Sequence, residues 1–140
     1  MTIPAILLPV FVQVGLTFVL LFWMARLRVG CLQRREVTMA DIALGQDAWP
    51  KRTTQIGNAF HNQLELPLLF YSAVILALLT RKADLLFVAL AWLFVVTRLA
   101  HAYIHVTTNH VRHRFYVFAA GAAVLLVMWI ALAVSILIAP

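Results

Sequence analysis

The chain has 140 residues, of which 64% are hydrophobic and 11% charged, and its formal net charge is +6. Soluble domains carry about 25% charged residues, so this composition excludes an ordinary soluble enzyme and indicates a single membrane domain. The Lys and Arg residues sit at the ends of apolar runs and make no basic face interleaved with aromatics, so they read as membrane topology and exclude a nucleic-acid surface.

The first apolar run, Ile3 to Ala25, carries no charge, and Gln13 and Thr17 are its main polar interruptions. It lacks a basic leader and is too long for the core of a signal peptide, so it reads as a span. Pro4 and Pro9 fall near its start, where missing amide donors do least harm. Arg26 and Arg28 are expected to end it by snorkelling to the interface. Cys31, the only cysteine, allows no internal disulfide and no CxxC metal site, and reads as an inert thiol near the interface. Gly30 to Thr54 is the one long polar connection, with Arg34, Arg35, Lys51 and Arg52 set against Glu36, Asp41 and Asp47. Within it Thr38–Leu44 reads as a short surface helix, and Trp49-Pro50 as an interfacial anchor and a break.

The second apolar run, Leu66 to Thr80, would make a helix of roughly 22 Å, short of an apolar core of about 30 Å. The helix must therefore start earlier and carry the preceding N-A-F-H-N-Q-L-E stretch into the membrane, with Pro67 kinking it from inside. Arg81 to Asp84 reads as a tight turn. The third run, Leu85 to Thr97, spans only if it continues through Arg98, His101 and His105. Thr108-Asn109 offers a break and an N-cap. His110, Arg112, His113 and Arg114 form a basic corner before the uncharged fourth span, Phe115–Ala139. The expected fold is all-α, a four-transmembrane-helix bundle with spans at about 3–27, 55–80, 85–108 and 113–138. The excess of Lys and Arg on one side places the long loop and the basic corner in the cytoplasm and both termini outside it.

Two polar stripes interrupt this apolar chain. At about 100° per residue, Asn58, His61, Asn62 and Glu65 share one helical face, and Arg98, His101, His105 and Arg112 share another if the third helix runs far enough. Counted from the turn at 81–84, Glu65 and Arg98 reach similar depths, so they are expected to pair, because an isolated charge there costs several kcal/mol. Three chemistries fit the group. Forked arginines can hold carboxylates while Glu65 holds an ammonium. The i,i+4 pairs His61/Glu65 and His101/His105 can ligate zinc or iron, although Arg98 one turn away would repel a cation. An oligomer can form a proton or ion path.

The N-x-x-E-x-P that opens the second span resembles the signature of the MAPEG family, membrane-associated proteins in eicosanoid and glutathione metabolism. So do the R-x-x-H-x-x-x-H of the third span, the following N-x-V-x-x-R-F and Gly121. The resemblance covers nearly the whole chain and is that of a bacterial-type member, in the inner membrane. It implies a homotrimer of four-helix protomers with glutathione, a cosubstrate, bound between subunits near the cytoplasm, and a lipophilic electrophile arriving from the bilayer. It implies transferase or peroxidase activity, with a non-catalytic family member as the alternative. Asn62 and Glu65 match the family's glutathione contacts. His101 and His105 stand where tyrosines or a histidine contact the peptide, and Arg26 or Arg28 matches a basic contact from the first helix. Asn58, His61 and Arg98 complete the implied binding set. The thiolate-stabilising arginine maps to Arg114, with Arg112 the second choice. A nearby cation matters because a free thiol has a pKa of about 8.5. The well-studied transferases carry an arginine at the position of Asn58.

Overall fold

The computed structural model describes residues 1–44 and 48–138; Asp47, expected in the polar loop, and Ala139, the expected end of the fourth span, lie outside them. Among the described residues every regular element is helical. Four segments are long and apolar enough to cross a membrane: Ile3–Gln33, Lys51–Leu79, Leu85–Val106 and Val111–Leu137.

Helix α1, Ile3–Gln33, has 31 residues, about 46 Å, so its last turns project beyond an apolar core of about 30 Å. It therefore does not end at Arg26 or Arg28: Leu27, Val29 and Leu32 keep the chain apolar past them. It stops where Arg35 takes φ 57° and the Glu36 amide reaches back to the Cys31 carbonyl, 3.0 Å, the six-to-one bond of a Schellman cap. Helix α2, Met39–Ile42, begins at a reciprocal Thr38/Asp41 capping box. Pro50 then precedes helix α3, Lys51–His61.

The second span is not one kinked helix. Helix α3 ends at His61, Asn62–Leu64 make a single 3₁₀ turn, Glu65 leaves helical geometry at φ −97°, ψ −100°, and helix α4 runs Leu66–Leu79. Pro67 thus lies in the first turn of α4, where its missing N–H is harmless, and not in a helix interior. The polar face expected over Asn58–Glu65 stops being regular at Asn62.

A second Schellman-type cap, with Arg81 at φ 57° and the Lys82 amide on the Ala77 carbonyl at 3.0 Å, ends α4. Asp84 accepts from the Phe87 amide at 2.8 Å and starts helix α5, Leu85–Val106. Helix α6, Val111–Leu137, has His110 and not Asn109 at its N-cap. Asn109 sits at φ 51° with its amide on the Ile104 carbonyl, so its side chain is released for another partner. Because α5 ends at Val106, Arg112 belongs to α6 and shares no face with Arg98.

Helix α5 is the hub, packed against α6, α1 and α3. One apolar cluster joins Phe70 and Ala73 of α4, Phe94 and Val95 of α5, and Leu125 and Met128 of α6. A smaller one joins Leu20, Ala59 and Ala102 nearer the loop end. Along the helices, a polar layer of Gln13, Gln63 and Arg98 falls between the two, each at most 2% exposed. Lipid tails are as apolar as leucine, so close packing and buried hydrogen bonds hold such a bundle more than water exclusion does. Gly121 supplies the close approach: a Cβ there would lie 2.7 Å from Thr97 Oγ1.

Candidate functional site

The site grows out of the broken second span. Pro67 has no N–H to offer the Gln63 carbonyl, and the 3₁₀ turn disrupts the usual ladder before it. The freed Asn62 carbonyl is taken by α5: Arg98 Nη2 donates to it at 3.2 Å. Arg98 is fully buried, and its guanidinium carbon lies 5.6 Å from the Phe118 ring centroid of α6. Its Nε and Nη1 have no hydrogen-bond partner. Glu65, expected to pair with Arg98, is exposed and makes no ion-pair contact with it. The break turns the carboxylate outward, so only its field reaches the guanidinium.

One turn further along α5, His101 and His105 are both buried, with ring centroids 5.7 Å apart and edge-on. His101 also lies 5.8 Å from Phe118. The Nδ1 atoms of both histidines are buried without a partner. Arg114 comes from the first turn of α6, near enough for its charge to act on both imidazoles. Its Nη1 donates to Asn109 Oδ1 at 2.5 Å, while its buried Nε has no partner. The φ 51° turn at Asn109 therefore aims one arm of the arginine and leaves another open.

The structure thus gathers Asn62, Arg98, His101, His105 and Arg114 between α3, α5 and α6. It does not bring the other expected residues to this cluster. Asn58 and His61 are exposed on α3, where Asn58 uses its carbonyl to accept from Asn62 Nδ2 at 3.1 Å. Arg26 is exposed on α1, and Arg28 lies over the Trp49 ring at 5.1 Å. Arg112 is exposed. Among the described residues no three His, Cys, Asp or Glu side chains are placed to share a metal ion: His61 and Glu65 face outward while His101 and His105 face inward, so the four do not converge.

Sequence reasoning missed several supporting residues. Arg52 Nη1 donates to the Val106 carbonyl at 2.6 Å, and Gln55 Nε2 to the His105 carbonyl at 2.7 Å. These bonds satisfy the open carbonyl end of α5 and pin α3 beside the histidines. Phe118 looked like one apolar residue among many, yet it faces both Arg98 and His101. Gln13 and Gln63 donate and accept across α1 and the break, 3.0 Å apart. The rarity of glutamine in apolar runs was the available signal for this pair.

A fully buried arginine with two open donor nitrogens, a second arginine with one and two imidazoles make a cluster suited to an anion, running from the polar layer inside the bundle to the first turn of α6. No curated protein and no solved structure is similar enough to the chain to count as a match. The MAPEG family model matches residues 6–134, nearly the whole bundle, and the chain therefore belongs to the MAPEG family.

Proposed function

We propose that this protein is a glutathione-dependent membrane transferase or peroxidase acting on lipophilic electrophiles. It works as a homotrimer in a bacterial inner membrane, with both termini on the non-cytoplasmic side. Glutathione is held between subunits at the cytoplasmic end, where the basic loop and basic corner lie. The observation that carries this reading is Arg98, fully buried with Nε and Nη1 unpartnered. An unpaired buried cation is costly and an anion relieves it. Arg98 and Arg114 suit the carboxylates and thiolate of the tripeptide, and Glu65 suits its ammonium. Asn58 and His61 on α3 and Glu65 after the 3₁₀ turn are all exposed, a polar surface that a neighbouring subunit would cover.

Arg114 lowers the cost of the thiolate, and the thiol proton leaves to water. In conjugation the thiolate forms a C–S bond and the leaving group departs with its electron pair. With a lipid hydroperoxide the thiolate attacks the terminal oxygen and the O–O bond breaks, giving a sulfenic acid and an alkoxide that takes a proton from water to become the alcohol. A second glutathione then converts the sulfenic acid to a disulfide and water.

The alternative, a non-catalytic family member, is favoured by Asn58, which offers no cation where the transferases carry arginine. A glutathione titration of the purified protein in detergent decides between them. Binding to the folded state adds about 2.7 kcal/mol of stability at 100 times Kd, visible as a rise in melting temperature that Arg114→Ala and Glu65→Gln abolish. No rise at millimolar glutathione refutes the enzyme reading.

A further inference from the structure

The hydrogen bond between Gln13 and Gln63 has no role in the chemistry proposed above, yet it sits at the point where the second span breaks. Both side chains are buried, at 0% and 2% exposure. Gln13 Nε2 of α1 donates to Gln63 Oε1 at 3.0 Å, and Gln63 Nε2 donates to the Ala59 carbonyl at 3.1 Å. That carbonyl would take the Gln63 amide in a regular α-helix, so the side chain replaces a main-chain bond that the 3₁₀ turn disturbs. Gln63 stands directly after Asn62, and Glu65 follows two residues later with ψ −100°.

The break is therefore held at adjacent residues by two different helices: Asn62 by Arg98 of α5 and Gln63 by Gln13 of α1. The Gln13 main-chain carbonyl accepts from Thr17 Oγ1 at 3.1 Å, and its side-chain Oε1 is buried without a partner, so the bond to Gln63 is the one that orients the Gln13 amide. A one-residue change in winding turns every following side chain by about 100°. Rewinding of the 62–65 segment would thus swing Asn62 and Glu65 around the helix axis. A buried glutamine without its partner is a strong reason to rewind, because lipid offers it no hydrogen bond.

We infer that Gln13 and Gln63 are positioning residues: their amide–amide bond sets the winding of the break and so aims Asn62 and Glu65. The inference rests on the glutathione reading only for what those two side chains then contact.

The test compares Gln13→Leu, Gln63→Leu, the double variant and the conservative Gln13→Asn, in detergent, by thermal melting, hydrogen exchange at amides 62–66 and glutathione titration. Each leucine variant alone leaves one buried amide unpaired and melts lower; the double variant leaves neither partner behind and recovers most of the loss. Exchange at 62–66 nonetheless rises in all the variants, least in Gln13→Asn. Glutathione binding weakens by roughly tenfold, the change that losing about 1.4 kcal/mol of contact makes. Parent-like exchange at 62–66 in the double variant overturns the inference. So does parent-like glutathione affinity in that variant, or a double variant that melts as low as the singles, which would make the pair only structural. If the unaltered protein binds no glutathione, the enzyme reading fails by itself and the exchange measurement alone decides the role of the pair.

Discussion

Gly121→Ala is the sharpest test of how α5 and α6 meet. The added Cβ would stand 2.7 Å from Thr97 Oγ1, where ordinary contact begins at 3.4 Å. Thr97 is β-branched and short, and its hydroxyl is already committed to the Phe94 carbonyl at 2.6 Å. Either the hydroxyl rotates and gives up that bond, or the two helices separate by some tenths of an ångström along their main contact. Overpacking of this kind costs about 1–3 kcal/mol, opposed by a helix-propensity gain for alanine of up to about 1 kcal/mol. The expected net loss is about 1–2 kcal/mol, measured by SDS titration in mixed micelles. Removing the obstructing hydroxyl in Thr97→Ala should recover most of that loss, so the double-mutant cycle shows a coupling of about 1 kcal/mol. Arg98 Cδ lies 4.0 Å from the same added Cβ, an ordinary contact, so the strain falls on Thr97 and not on the arginine. A Gly121→Ala protein as stable as its parent, or one whose loss is unchanged in the Thr97→Ala background, would refute this account of the packing.

Two further outcomes follow from bonds outside the α5–α6 seam. Arg52→Ala and Gln55→Ala each expose a carbonyl at the end of α5 and should cost about 1 kcal/mol, with faster hydrogen exchange at residues 103–108; unchanged exchange there would show that the pins are idle. At the surface, hydrogen bonds from the Thr38 side chain and backbone hold the Asp41 carboxyl below its ordinary value of 3.8. The contribution of the Thr38/Asp41 capping box to stability is therefore fully present above that value and is lost as pH falls through the lower, folded-state pKa. Proteolysis of the 34–44 loop should accelerate in that acid range in the parent, while Asp41→Asn should be equally labile across it.

Much of the architecture was legible because bilayer thickness is a strict ruler. Two apolar runs too short to span required Asn62 and Arg98 to belong to the spanning segments, and both fall inside segments long and apolar enough to cross a membrane. The helix ends were less legible. Arg26 and Arg28 did not mark a terminus, because a helix can continue for as long as its residues tolerate it, and α1 runs on to Gln33. Pro67 was read as an interior kink because sequence spacing assumes one continuous helix, and the 3₁₀ turn at Asn62–Leu64 breaks that assumption. The same break explains the failed pairing of Glu65 with Arg98: depth was right, but rotation was not, since counting residues along a perfect helix says nothing about a backbone that leaves helical geometry at Glu65. The contacts of Gln13 and Phe118 join helices far apart in the chain, and no local pattern encodes them.

The Asn62–Arg98 bond also has a consequence for how the chain is made. Of the four spanning segments the one containing Asn62 is the least apolar, and its continuous helix after the break has only 14 residues. Arg98 is a charge that must cross into lipid, 36 residues after Asn62. Synthesis runs from the N-terminus, so the freed carbonyl of the second segment emerges before the guanidinium that needs it. The tight turn at 80–84 lets both enter the bilayer as a hairpin, with the acceptor already waiting. Insertion of the third segment would thereby depend on the break in the second, and a variant that straightened the break would be expected to show its defect first in the yield of membrane-inserted protein.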